Sequence, residues 1–290
     1  MTQTVIEPNT ITYNSAISAC EKGAEWQKAL ALLAVMGQSN LEPNTITYSS
    51  AISACEKGVE WQWALTLLAA MSHDVIEPNA ISYNATLSAF EKCAQWEWAL
   101  ALLSTMFHAL IKPTCISYNA LISACEKCAE WQWALVLLAA MDNAVFAPNT
   151  ISYSAAISAC EKDAKWQWAI ALLASLCQAV NEPNTVCYNA AISACERDAE
   201  WQQALALLTT MGWSGIEADA ISYKMVVGAC GKGAEWQWAL ALLTIAGRAV
   251  ISPDAACYDA AISACERVLS RRSPSFCSVP LLNLAIHGMV

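Results

Sequence analysis

The chain has 290 residues, 57% of them hydrophobic and only 14% charged, with 10 Gly and 9 Pro, which excludes a disordered, collagen-like or linker-dominated protein. Its 15 Lys and Arg against 25 Asp and Glu leave a net charge of −10, so no bulk positive field attracts nucleic acid and any such binding has to come from a few locally placed cations. No uncharged apolar run approaches the roughly 18 residues that a membrane span needs.

In chain order, residues 1–9 form a lead-in with no Arg-rich amphipathic segment and no apolar signal core, so no transit peptide is expected there. A period then begins. Pro8, Pro43, Pro78, Pro113, Pro148 and Pro183 are each 35 apart, Ala218 replaces the next, and Pro253 restores the phase. Tyr13, Tyr48, Tyr83, Tyr118, Tyr153, Tyr188, Tyr223 and Tyr258 keep that spacing, as do Trp26, Trp61, Trp96, Trp131, Trp166, Trp201 and Trp236. A fixed period of this size marks a helical solenoid. The expected architecture is all-α, an α-solenoid of helix–turn–helix units. Seven units occupy 10–254 (10–44, 45–79, 80–114, 115–149, 150–184, 185–219 and 220–254), and a degenerate eighth occupies 255–290.

Within the first unit, Asn9 or Thr10 caps a helix expected to run to about Lys22. Gly23 marks the turn, a second helix runs from about Ala24 to Met36, and the loop through Asn40 and Pro43 closes the unit. Each unit is too small to bury its own core and has to stack on its neighbours. At about 100° per residue, Tyr13, Ala16, Ile17 and Cys20 share the core stripe of the first helix, opposite Ile11, Asn14, Ser18 and Lys22. In the second helix Trp26, Ala29, Leu30, Leu33 and Met36 form the core stripe. After Arg267 the pattern dissolves into a basic linker, 270–274, and a short apolar helix is expected over 279–290.

Fourteen cysteines resemble a disulfide framework until their phase is noticed. Cys20, Cys55, Cys125, Cys160, Cys195, Cys230 and Cys265 recur at one point of the period. Equivalent residues on stacked helices lie roughly 8–10 Å apart, beyond the roughly 7 Å Cα limit for a bridge. They are expected to be buried packing residues in a reducing compartment.

The first helices therefore present, unit after unit, an aliphatic residue, a small polar residue, a serine and a cation. The aliphatic series is Ile11, Ile46, Ile81, Ile116, Ile151, Val186 and Ile221. The cation series is Lys22, Lys57, Lys92, Lys127, Lys162, Arg197 and Lys232, with Arg267 at the same phase. A base can lie against the aliphatic side chain while an amide or hydroxyl reads its edge, and the cation one turn on can meet the phosphate. That describes a reader of single-stranded RNA, one nucleotide per unit. Two plainer roles stand beside it: Asn44, Asn79 and Asn149 as ordinary helix caps, and the cations as partners of neighbouring acids, Lys22 with Glu21 and Glu25, Lys57 with Glu56 and Glu60.

The stretch Thr-Ile-Thr-Tyr-Asn-Ser-Ala-Ile-Ser-Ala-Cys-Glu-Lys, a second helix carrying Ala-Leu-x-Leu-Leu-x-x-Met and a closing Pro-Asn resemble the pentatricopeptide repeat family, over about Glu7 to Arg267. The resemblance implies a right-handed superhelix that binds organellar RNA on its concave face, acting in RNA processing or stability in a chloroplast or mitochondrion. It also implies base selection by the residue after each tyrosine together with the residue after the closing proline. Those pairs are Asn14 with Asn44, Ser49 with Asn79, Asn84 with Thr114, Asn119 with Asn149, Ser154 with Asn184, and Asn189 with Asp219. The family code would read Asn/Asn as cytosine, Ser/Asn as adenine and Asn/Asp as uracil, with Asn84/Thr114 as a pyrimidine, giving 5′-CAYCAU-3′. Lys224 with Asp254 fits no pair of the code, and Asp259 has no closing partner.

Trp63, Trp98, Trp133, Trp168 and Trp238 lie two residues, about 200°, beyond the core tryptophans and are expected to point outward as an apolar ridge. That ridge supports an alternative function, a protein–protein scaffold or self-association surface without RNA. An enzyme is not expected. Cys125 and Cys128 form a lone CxxC with no second pair or histidine to complete a metal site. The His-x-Glu and Pro-Cys-x-x-Cys of a zinc deaminase and any phosphate loop do not occur, so no cofactor is expected.

Overall fold

The computed structural model describes residues 8–39, 41–144, 146–179, 182–248 and 255–271. The start of the lead-in, Asp254 and the expected terminal helix at 279–290 lie outside the described residues. Among the described residues there are fifteen α-helices and no strand. The odd helices are α1 (Thr10–Lys22), α3 (Thr45–Lys57), α5 (Ala80–Lys92), α7 (Cys115–Lys127), α9 (Thr150–Lys162), α11 (Thr185–Arg197), α13 (Ala220–Gly233) and α15 (Ala255–Arg271). The even helices are α2 (Trp26–Gln38), α4 (Trp61–His73), α6 (Trp96–His108), α8 (Trp131–Asn143), α10 (Trp166–Gln178), α12 (Trp201–Trp213) and α14 (Trp236–Arg248). This is an all-α helical-repeat solenoid.

Packing divides the chain into two compact units, Met1–Ala159 and Cys160–Val290. In the first, α1 packs on α3, α3 on α5 and α5 on α7, while α2, α4 and α6 each lie against their own odd helix and the next, and α8 lies against α7. In the second, α11 packs on α13 and α13 on α15, with α12 and α14 against them. An odd helix flanked on both sides buries more than one stripe. In α3 the buried set is Thr47, Tyr48, Ser49, Ala51, Ile52, Ala54 and Cys55, which adds Thr47, Ser49 and Ala54 to the stripe expected for that helix. The even helices keep a narrower stripe, Ala64, Leu67, Leu68 and Met71 in α4.

The two kinds of helix start differently. Each odd helix with a described cap begins on an Asn, Thr or Asp whose side chain accepts backbone N–H groups of the first turn, as Asn44 does from Thr47 and Asp219 from Ser222. The even helices α2, α4, α6, α8, α10 and α12 have no side-chain cap hydrogen bond.

The joint between helices also departs from expectation. Gly23 and Gly58 hold ordinary right-handed backbone, φ −85° and −77°. The left-handed residue comes one later and is not glycine: Ala24, Val59, Ala94, Ala129, Ala164, Ala199 and Ala234 all have φ of 54–62°. Each closes its helix in a Schellman pattern. Glu25 N donates to Cys20 O at 2.9 Å and Ala24 N to Glu21 O at 3.1 Å, which satisfies carbonyls left over at the helix end. The second helix consequently starts at Trp26, two residues later than the periodicity predicts. Gly58 matters for space, since a Cβ there would run into the Trp26 indole.

Five of the seven phased cysteines, Cys55, Cys125, Cys160, Cys195 and Cys230, are at most 1% exposed, whereas Cys20 and Cys265, on the first and last odd helices, are only partly buried. All described cysteines are free thiols. Burial pushes the thiols of Cys125, Cys160 and Cys195 up to about 12. No helix among the described residues is long and apolar enough to cross a membrane.

Candidate nucleic-acid interface

The second residues of the odd helices stand out into solvent: Ile11, Ile46, Ile81, Ile116, Ile151, Val186 and Ile221 are 57–73% exposed. β-Branched side chains at that exposure serve no core, and they recur where a stacking partner was expected. Between Ile46 and Ile81 lies a crevice of about 270 Å³, with Ser49 and Asn79 among its lining residues together with Glu21 and Ser53.

Three residues later in each helix come the expected base-reading side chains, and they are partnered. Asn14 Nδ2 donates to Asn44 Oδ1 at 3.3 Å, Asn84 Nδ2 to Thr114 Oγ1 at 3.2 Å, and Asn189 Nδ2 to Asp219 Oδ1 at 3.2 Å. Three of the six pairs thirty apart are thus brought into contact. Each asparagine also accepts, through Oδ1, a 2.6 Å hydrogen bond from a hydroxyl of the following helix: Asn14 from Thr47, Asn84 from Ser117, Asn119 from Ser152 and Asn189 from Ser222. Ser49 lies 3.3 Å from Ser82 through their hydroxyls. Ser154 and Asn184 fall in different units.

Asn44, Thr114 and Asp219 are thus both helix caps and hydrogen-bond partners of the residues expected to read bases. Burial works to raise the pKa of Asp219, but hydrogen bonds from the Ser222 backbone and hydroxyl and from Asn189 outweigh it and hold the carboxyl below its usual range. Asp219 therefore offers only acceptors at neutral pH.

The cation series is placed one turn or more beyond the readers, with its partners in a different place than expected. Lys57 meets Glu21 at 3.0 Å, Lys92 meets Glu56 at 2.9 Å, Lys127 meets Glu91 at 3.4 Å and Lys232 meets Glu196 at 3.1 Å. Arg197 approaches Glu161 at 3.9 Å. Each acid belongs to the preceding repeat. Adjacent residues on a helix do not face each other, which is why Lys57 does not turn to Glu56. The lysines of these pairs remain 37–41% exposed at the side chain.

On the even helices Trp63, Trp98, Trp133, Trp168 and Trp238 are 42–49% exposed. They point outward as expected, yet each of the first three rests on the tryptophan that opens the preceding even helix. The ring centres are 6.5 Å apart for Trp26–Trp63, 5.9 Å for Trp61–Trp98 and 6.0 Å for Trp96–Trp133. Half of each indole is therefore sealed within the stack. Cys128 Sγ donates to Ala94 O at 3.1 Å, a local contact between repeats. Among the described residues no three metal-ligating side chains converge.

The hydroxyls of Thr47, Ser117, Ser152 and Ser222 are the functional candidates that sequence reasoning missed. The available signal was a Thr or Ser three residues after Asn44, Thr114, Asn149 and Asp219, the spacing of a capping box.

Family comparisons agree with the geometry. Models described as the PPR repeat family, the pentatricopeptide repeat domain and the PPR repeat match residues 8–57, residues 66–128 and 111–163, and residues 186–216, together more than half of the chain. The chain belongs to the pentatricopeptide repeat family. Among solved structures it is similar to the pentatricopeptide repeat protein PPR10 from maize, at 20% identity and a TM-score of 0.60 over 94% of this chain and 46% of that one. PPR10 in complex with an 18-nt psaJ RNA element matches at 21% identity and a TM-score of 0.55, over 93% and 46%. The PPR domain of Arabidopsis thaliana protein-only RNase P 1 in complex with tRNA matches at 15% identity and a TM-score of 0.56, over 67% and 98%. The chain thus spans less than half the length of the PPR10 chain. Among curated protein sequences no match reaches significance.

Proposed function

We propose that this protein binds single-stranded RNA along the odd-helix face, with one base per repeat held between successive aliphatic side chains and read by the residue pair beneath them. The observation that carries the reading is the contact of Asn14, Asn84 and Asn189 with their closing residues, three residues after an exposed Ile or Val.

Donor and acceptor chemistry then assigns the bases. Asn44 spends its Oδ1 on Thr47 N and Asn14 Nδ2, leaving its own N–H groups for a base. A donor there suits N3 of cytosine, and Asn149, whose Oδ1 takes Ser152 N, is equivalent. Asp219 offers an acceptor, which suits the N3–H of uracil. Thr114 has a hydroxyl that serves as either, so Asn84 with Thr114 accepts both pyrimidines. Where the reader is the short Ser49, the crevice of about 270 Å³ has room for the larger ring of adenine. Ser154 with Asn184 repeats that pair, and the order 5′-CAYCAU-3′ follows from family polarity.

The lysines and Arg197 contact phosphates by sharing their charge with the preceding repeat's glutamate. Because that acid stays in place, fewer counterions are released per contact. The log–log salt slope is expected to be no steeper than about −4 for six phosphates. Family resemblance further assigns the RNA to an organelle, and the role to its processing or stability. Titration of the full chain with an oligonucleotide carrying CAYCAU, against its scrambled version, tests the reading. Tighter binding of the first is expected, and equal affinities overturn it.

A second reading rests on the half-exposed indoles. They offer a self-association surface independent of RNA. Sedimentation of Trp98→Glu with Trp133→Glu is expected to show loss of any assembly that the unaltered chain forms, and an unchanged profile removes this reading.

A further inference from the structure

We infer that the hydroxyl three residues after each cap determines base specificity for the preceding repeat by locking the amide of its asparagine. The inference rests on the RNA-reading function proposed above and adds residues to it.

The hydrogen-bond pattern leaves little freedom. The cap's backbone N–H donates to the hydroxyl oxygen, at 3.1 Å for Asn44–Thr47, 2.9 Å for Thr114–Ser117, 3.3 Å for Asn149–Ser152 and 3.2 Å for Asp219–Ser222. The single hydroxyl proton has two acceptors within reach. The asparagine Oδ1 of the preceding repeat is at 2.6 Å in all four cases, while the cap's own oxygen is at 2.9–3.0 Å for Thr47, Ser152 and Ser222. The shorter contact takes the proton.

The orientation of the amide follows from chemistry and not from the placement of one atom name over another. Asp219 can only accept, so the side of Asn189 facing it has to be Nδ2. Asn44 is held the same way, because its Oδ1 already takes Thr47 N at 3.1 Å. With Oδ1 held by the hydroxyl and one N–H held by the closing residue, each asparagine has a single N–H left to offer a base. It is a donor aimed at an acceptor on the base edge.

Without the hydroxyl, one of the two contacts that set the amide's orientation is gone, and the closing residue alone holds it. A rotated amide offers a carbonyl to the base and welcomes an exocyclic amino group instead. Discrimination should therefore fall while affinity for the backbone persists. Two positions in the sequence lack the hydroxyl, Cys187 and Cys257, and the preceding residues in the reader position are Ser154 and Lys224, neither of which has an amide to orient.

The test uses the full chain with Ser222→Ala, Ser222→Thr and Asn189→Ala, and oligonucleotides that differ only in the base opposite Asn189 and Asp219. Loss of one orienting hydrogen bond corresponds to a fall of about tenfold in the preference for uracil. Ser222→Ala is expected to lose that much while binding a base-free sugar–phosphate chain as before. Ser222→Thr is expected to restore it, because Thr47 already fills this role for Asn14. If Ser222→Ala keeps the full preference while Asn189→Ala loses it, the positioning role is overturned and base reading stands. If the unaltered chain shows no preference, the reading function and this inference fall together. If Thr fails to restore what Ala removed, the loss was one of packing and the inference is overturned.

Discussion

The odd and even helices of each repeat have the same length over most of the chain, thirteen residues, yet they are held by different means. An odd helix such as α5 opens on a capping box, Asn79 with Ser82, and spends its polar groups on the face that carries the readers. An even helix such as α6 has no side-chain cap, opens on Trp96, and is fixed by Ala99, Leu102, Leu103 and Met106 against its neighbours. The lesson is a division of labour: polar specificity sits on one helix of each pair, and the other contributes apolar packing.

The comparison breaks most sharply at the shared core. Phe90 is fully buried and centres 5.6 Å from Trp61, so Phe90→Ala is expected to cost about 3–5 kcal/mol in urea denaturation. A loss below about 1 kcal/mol would mean that neighbouring repeats collapse into the space.

Next comes pH. Burial holds the thiols of Cys125, Cys160 and Cys195 at about 12 and that of Cys55 at about 11, all above the ordinary thiol value of 9.0. A raised folded pKa gives stability that is complete below pH 9 and is lost as pH climbs through 11 to 12, because the unfolded chain releases those protons first. The melting temperature should therefore fall steadily above pH 9. Cys125→Ala with Cys195→Ala should flatten the fall.

Helix starts give a smaller, paired test. Asn79→Ala removes the cap of α5 and should cost about 1 kcal/mol. Glu60→Ala, at the start of α4 where no side chain caps, should stay within about 0.5 kcal/mol. Equal losses would erase the distinction between the two helix types. Last, Val59 carries a β-branched side chain at φ 62° and is half exposed. Val59→Gly relieves a left-handed residue that costs roughly 1 kcal/mol and should raise the melting point slightly.

The period made the helices legible. Tyrosine, tryptophan and proline at fixed spacing led to a first helix capped by Asn9 or Thr10 and ending at about Lys22, and α1 runs Thr10–Lys22 with Asn9 as its cap. The start of α2 was missed because an alanine carries the left-handed joint, and alanine gives no signal for positive φ, although Gly23 did mark the turn. The reader pairs and the exposed aliphatic series followed from facing positions and from family resemblance. What stayed hidden lies across repeats. Lys57 reaches Glu21 and Thr47 reaches Asn14, and a sequence gives no direct measure of how far one repeat is rotated against the next. The outward indoles were placed correctly, but their stacking on Trp26, Trp61 and Trp96 depends on that same rotation.

Because Asn14 is held by Thr47, a letter of the proposed code is written partly in the following repeat. Shuffling repeats cut at 44 and 45 would transplant a reader without its clasp. A splice placed after residue 47, or after its equivalents at 82 and 117, would move each word whole.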